Sequence, residues 1–166
     1  MKLIYRQGTI HDLIEIKDLA VKSWSQFSHQ LTEENWAKLC NTLTDINTFT
    51  DLLNLANCTV CCDDKKIIGM AFLVPSGNPT AIYDRKWCYI RFITVDPDFA
   101  GQGIGRKLTT GCIDLARENG ESVIALHTSE LMNNARHIYE SLGFKIEREI
   151  NQRLGKRFWL YKLELT

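Results

Sequence analysis

Apolar positions along the chain follow two periods, and the switches between them outline the elements. Leu3 to Arg6 reads as a short strand, after which Thr9 and Asp12 form the start signal of a helix. Leu13, Ile16, Ala20 and Trp24 then recur at helical spacing, so one face packs inward. Thr32 with Glu33 and Glu34 opens a second helix carrying Trp36, Leu39, Cys40 and Leu43. A shorter third pattern runs through Ile46, Phe49, Leu52, Leu53 and Ala56. Cys58 to Asp63 and Lys66 to Val74 are strand-like runs joined by Asp64-Lys65, which predicts a hairpin. The breakers between Pro75 and Pro79 predict a flexible loop. A long strand from Lys86 to Val95 follows, and the centre of the sheet is expected there.

Ile104, Leu108, Cys112, Leu115 and Ala116 mark the buried stripe of the next helix, which Asn119-Gly120 ends. Ser122 to Thr128 is a strand. Asn133 or Asn134 is expected to cap a helix whose inner face is Ala135, Ile138, Tyr139 and Leu142, closed by Gly143. Phe144 to Ile150 and Arg157 to Leu165, with a turn through residues 151–155, give a closing antiparallel pair. Strands and helices are mixed in one α/β (α+β type) order.

The strand ending at Val95 meets Asp-Pro, glycines at 101, 103 and 105, and at once a helical pattern. The first N–H groups of a helix lack intrahelical partners and carry about half a positive charge between them. Glycine lets the main chain approach a ligand, so this turn is suited to a phosphate or pyrophosphate. It is neither the dinucleotide fingerprint, which needs glycine where Arg106 stands, nor a Walker loop, which needs Gly-Lys-Ser/Thr.

It does resemble the pyrophosphate motif of the GNAT superfamily of acyl-CoA-dependent N-acetyltransferases, Gln/Arg-x-x-Gly-x-Gly/Ala after a Val-x-Pro turn. Val95, Pro97, Gly103 and Gly105 match, and Arg106, Lys107 and Leu108 continue as the family's helix does; Ala100 replaces the usual Gln or Arg. The family's late motif, Ala-x-x-x-Tyr-x-x-x-Gly-Phe, is met by Ala135, Tyr139, Gly143 and Phe144, with Met132 where asparagine is common. The resemblance implies one GNAT domain over residues 1–166, a mostly antiparallel twisted sheet of six to seven strands flanked by about four helices, and acetyl-CoA as acyl donor. It also implies that the segment around the first two helices bends over the acceptor, so that Trp24 and Phe27 are either substrate contacts or plain core.

Composition narrows the partners. Lys plus Arg and Asp plus Glu both total 20, so no nucleic-acid footprint is expected. Neither a signal peptide nor a membrane span is evident, which predicts a cytoplasmic protein whose six cysteines are thiols. Cys58 and Cys61 form a single Cys-x-x-Cys inside a strand, a poor zinc site, and His11, His29 and His137 lack partners, so no metal is expected. An exposed closing strand could pair across a homodimer.

Acetyl transfer needs a held thioester, a neutral amine and a proton for the departing thiolate. An alkyl amine is about 99.9% protonated at pH 7, and presenting it neutral costs about 4–5 kcal/mol. By resemblance, Tyr139 is the general acid, with a core tyrosine as the plain reading. The cofactor would be held by Ile93, Thr94 and Val95 on the strand, by Gly101, Gln102, Gly103, Ile104, Gly105 and Arg106 in the loop, and by Asn133 or Asn134 at the pantetheine arm. Alternation puts Tyr89, Arg91 and Ile93 on one face, where many relatives have histidine or glutamate. Tyr89 and Arg91 are therefore candidate acceptor contacts, and Arg91 either clamps a carboxylate of a small-molecule or peptide amine or forms a structural ion pair. His127 is the preferred base, with Asp84, Glu130 or a water relay as alternatives. The rival reading is a non-catalytic CoA-binding domain, favoured by Ala100 and by the missing base on the central strand.

Overall fold

The most apolar run of the chain, β3 (Lys66–Val74), is buried along nearly its whole length, because helices cover both faces of the sheet around it. The computed structural model describes residues 2–165. Seven strands form one sheet in the order β1 (Leu3–Gln7), β2 (Asn57–Asp63), β3, β4 (Cys88–Val95), β5 (Val123–Ser129), β7 (Lys156–Glu164) and β6 (Lys145–Arg153). Every neighbouring pair is antiparallel except β4 and β5. The polar sequence of β6 is exposed at all but Ile150, as suits an open edge. The last strand in sequence, β7, is interior; the open edge at that end belongs to β6, contrary to the exposed closing strand expected from sequence.

Five α-helices cover the sheet. On one face lie α1 (Leu13–Ser25), α2 (Glu33–Thr44) and α3 (Ile46–Leu55), which bury Ile16, Leu19, Leu43 and Phe49 against Met70 and Phe72. On the other, α4 (Ile104–Glu118) and α5 (Asn133–Ser141) bury Ile104, Leu108, Cys112 and Tyr139 against Ala71 and Leu73. Neighbouring residues of β3 thus serve opposite cores, the period-two signature of a strand. Thr9 closes a capping box with Asp12 around a short 3-10 turn, and α1 begins behind it. No helix among the described residues is long and apolar enough to cross a membrane.

Two irregularities shape the middle of the sheet. β4 and β5 pair only at Cys88 with Ile124 and Tyr89 with Ala125, so the strands part from Ile90 onward. β4 also carries a bulge opposite β3, where Arg91 faces Phe72 and Thr94 faces Met70, with Phe92 at φ 53°. That left-handed conformation costs an ordinary side chain about 1–3 kcal/mol and releases local main-chain groups from the ladder. The bulge also resets the alternation. Ile93 and Val95 join the core under α4, whereas Phe92 packs on Phe49 at 4.8 Å on the opposite face. Ile93 therefore does not share a face with Arg91, as unbroken alternation had predicted.

The segment between β3 and β4 is tied down, not the loose loop its breakers predict. Ser76 donates from its amide and hydroxyl to Glu121 at 2.8 and 2.6 Å, and Tyr83 stacks on Tyr89 with ring centroids 4.0 Å apart.

Candidate active site

Where β4 and β5 part, a cleft of about 670 Å³ opens through the sheet. Its walls come from both faces: Ile93, Val95, the glycine turn, Ile138 and Tyr139 on the α4 side, and Trp24, Phe27, Arg91, His127 and Phe158 on the other. It has two differently built halves.

The first half is made of main chain. Gly101 and Gly103 both adopt φ 78°, and a Cβ at either would meet nothing within 4 Å, so the turn presents open backbone to the cleft. Among the described residues the amides from Gly101 to Arg106 have no protein acceptor; the first to bond is Lys107, which donates to Gly103 O at 3.0 Å. Donors at a helix start, unpaired and uncovered, form an anion cradle. Arg106 stands beside it, its Nη2 donating to Ser141 Oγ at 2.7 Å. Gln102 is exposed and its side chain is not on the cleft wall, so only its amide faces the role expected of it. Lys22 of α1 donates to Asp96 at 3.0 Å and Asp98 at 2.8 Å, tying the acceptor-side helix to the entrance of the turn.

Asn133 and Asn134 line the cleft in the first turn of α5, but neither caps it: Met132 occupies the N-cap and supplies no side-chain bond. Thr94 is buried, with its hydroxyl donating to Phe92 O at 3.1 Å across the bulge.

Tyr139 stands between the halves. It is 6% exposed, packed edge-on to Phe144 and Tyr161, and its hydroxyl bonds to no described residue. No fully enclosed polar side-chain atom is left unpaired among the described residues, so this hydroxyl is not sealed in the core; it opens on the cleft. Burial pushes its phenol well above the usual range, which keeps it protonated.

The second half is made of side chains. His127 lies at 2.6 Å from Tyr83 Oη through Nδ1 and at 3.2 Å from Arg153 Nη1 through Nε2. A guanidinium can only donate, so Nε2 accepts, and Nδ1 carries the proton that it donates to Tyr83. Burial, then the charges of Arg153 and Arg91, push the imidazole down to about 3. A histidine whose free lone pair is engaged and whose cation is disfavoured is a weak base, which sets its surroundings against the base role expected from sequence. Asp84 and Glu130 do not line the cleft: Asp84 accepts from Lys86 N at 2.8 Å and Glu130 from Arg157 N at 3.3 Å. Tyr89 is covered by the Tyr83 ring, and its hydroxyl donates to Asn78 O at 3.2 Å, so it is not an open acceptor contact either. Trp24 and Arg91 do line the cleft.

The pattern of the acetyltransferase (GNAT) family matches residues 13–144. The chain belongs to the GNAT family. Human N-acetyltransferase 8 is 30% identical over 128 residues, covering 76% of this chain and 52% of the relative. The L-amino acid N-acyltransferase MnaT of Escherichia coli K12 is 36% identical over 70 residues, covering 41% of this chain and 40% of the relative. Set against these two, the chain spans about half the relative's length or less. The fold is shared with the PaiA N-acetyltransferase of Thermoplasma acidophilum, solved with coenzyme A, at a TM-score of 0.77 and 16% identity over 98% of this chain and 100% of that one. It is likewise shared with the ribosomal-protein-S18-alanine N-acetyltransferase of Escherichia coli, at 0.73 and 18% over 99% and 95%.

Around this GNAT cleft the sequence did not reveal Tyr83 and Arg153, which bond to His127, nor Phe158 on the cleft wall. The first comes from the supposedly loose segment and the other two flank the β6–β7 turn, so only Tyr83's aromatic character amid breakers was a visible signal. The turn itself is Leu154-Gly155, both at positive φ, and it rests against α2 near Asn35.

Proposed function

We propose that the protein is an acetyl-CoA-dependent N-acetyltransferase that moves an acetyl group directly to the primary amine of a small molecule, amino acid or peptide. The observation that carries the reading is the unpaired, protonated Tyr139 hydroxyl facing a cleft whose other end is a row of unpaired backbone donors. Acetyl-CoA supplies the thioester. The amides of Gly101 to Arg106 fit its pyrophosphate, since nothing in the protein fills or pairs them, and Asn133, Asn134 and the freed edge of Ile93 to Val95 line the path for the pantetheine.

Ile93 has no ladder partner in β3 at the bulge, which supports a main-chain N–H near it as the donor that binds the carbonyl oxygen as charge develops there, the role of a small oxyanion hole. Tyr139 donates its proton to the leaving sulfur. Ala100 offers no side-chain donor in the turn, which leaves the anion to the backbone.

The weak basicity of His127 favours a second reading, a CoA-binding domain that does not catalyse transfer. Calorimetric titration of acetyl-CoA into the wild type and Gly103→Glu tests the cradle. Binding in the wild type, weakened about 100-fold or more by the variant's charge and left-handed strain, is the expected result. Thiol release against a panel of amines then separates the readings: binding with no turnover on any acceptor supports the second, and no binding by the wild type removes both.

A further inference from the structure

The acceptor half of the cleft holds a cation that nothing in the protein balances. Arg91 is half-buried on the cleft wall and pairs with no carboxylate among the described residues. Its recorded partner is the Phe92 ring, 5.0 Å from the guanidinium carbon. The charged and titratable groups that act on it are Tyr83, Tyr89, Arg153 and His127, none of them anionic at neutral pH. Arg153 comes from the far end of β6, donates to His127, and likewise has no carboxylate partner. One guanidinium bonded to the neutral His127 and a second acting on it by charge, without a carboxylate partner among the described residues, make a site that favours an anion.

Position and surroundings narrow the anion. Arg91 precedes Ile93 by two residues, so its backbone lies about 7 Å along the strand from the proposed reaction point. Trp24, Phe27 and Phe158 supply aromatic surface to the same cleft.

We propose that the acceptor is a free α-amino acid with an apolar side chain, its carboxylate held by Arg91 in the field of Arg153 and its side chain against Trp24, Phe27 and Phe158. This rests on the transfer function proposed above. It also answers the want of a base. With its carboxylate neutralised, the α-amine approaches a peptide α-amine, about one in seven of which is neutral at pH 7, against about one in 2,500 for an alkyl amine. The amine nitrogen forms the bond to the acetyl carbon as the carbon–sulfur bond breaks. The sulfur takes the Tyr139 proton, the nitrogen releases its surplus proton to water, and Tyr139 is reprotonated from water.

Two measurements test it on the full chain. The first titrates N-acetyl-L-phenylalanine and N-acetyl-L-leucine, each against its carboxamide, into protein saturated with CoA and into protein alone. The acids are expected to bind about 10-fold or more tighter than the amides, and Arg91→Met, checked for fold by circular dichroism, to abolish the difference. The second compares L-phenylalanine and L-leucine with their decarboxylated amines as acceptors. We expect about 100-fold higher kcat/KM for the amino acids than for the amines, a ratio that Arg91→Met abolishes through the KM of the amino acids and Arg153→Met reduces in part. Equal binding of acid and amide, or Arg91→Met weakening both alike, overturns the proposal. Absence of acetyl-CoA binding or of any transfer would strike the function proposed above instead, because the acid and amide titrations read the carboxylate site without turnover.

Discussion

The two halves of the cleft are built from different materials. On the α4 side the working atoms are backbone amides in one continuous turn, Gly101 to Arg106, and side chains matter there mainly by being absent. On the α1 side they are side chains: Arg91, His127 and Phe158 on the cleft wall, with Tyr83 and Arg153 bonded to His127, brought from five separate segments. A backbone cradle tolerates sequence change as long as its dihedral angles are kept. A side-chain cluster changes its ligand with every substitution, so the second half is where one member of the family would come to differ from another.

The largest test of this division lies at the boundary. Tyr139→Phe removes a hydroxyl that nothing in the fold uses, so kcat is expected to fall about 100-fold or more while acetyl-CoA affinity stays within about threefold. A matching loss of affinity in calorimetry, or an unfolded variant, would make Tyr139 part of the cradle or the core.

On the side-chain half, His127 should behave as a buried neutral group. Its folded pKa, about 3, lies below the unfolded value near 6.5, so the unfolded state binds the extra proton across that window. The stability this contributes is complete above pH 6.5 and is lost as pH falls toward 3, at up to about 1.4 kcal/mol per pH unit. Denaturant unfolding of wild type and His127→Asn between pH 7 and 4 should show the slope shrinking in the variant. A slope unchanged by the substitution would mean that the histidine titrates freely and is available as a base.

On the backbone half the effects should be smaller and set by geometry. Gly103→Ala places a Cβ at φ 78° and is expected to destabilise by about 1–2 kcal/mol, though the Cβ meets no atom. Gly105→Ala has no such strain, and its Cβ would touch Ile138 and Val95 at an ordinary 3.7 and 3.8 Å, so its midpoint should move little. Equal destabilisation by the two would show that packing, not dihedral angle, governs the turn.

Much of this could be read from sequence. The hairpin at Asp64-Lys65, the stripe of α4 and the closing pair follow from periodicity and turn residues, which act over a few positions. The motif residues Val95, Gly103, Gly105 and Tyr139 line one cleft because the turn and the two helices behind the sheet are assembled from neighbouring stretches. The misplaced residues have a common cause. Unbroken alternation put Ile93 with Arg91, but a bulge is a matter of register between two strands and leaves no clear mark in either alone. Tyr89 read as an acceptor contact because nothing in its own strand announces that Tyr83 will cover it.

Sequence by itself therefore determined the elements, their order and the glycine turn ahead of α4, because each depends on dihedral preferences and spacing within a short segment. Tertiary structure alone decided where β4 and β5 part, which face Ile93 takes, that His127 is neutral and engaged, and that Arg91 feels the charge of a second arginine and pairs with no carboxylate among the described residues. Those outcomes are set by which distant groups share a buried volume, where charge and desolvation act over a few ångströms whatever the separation along the chain.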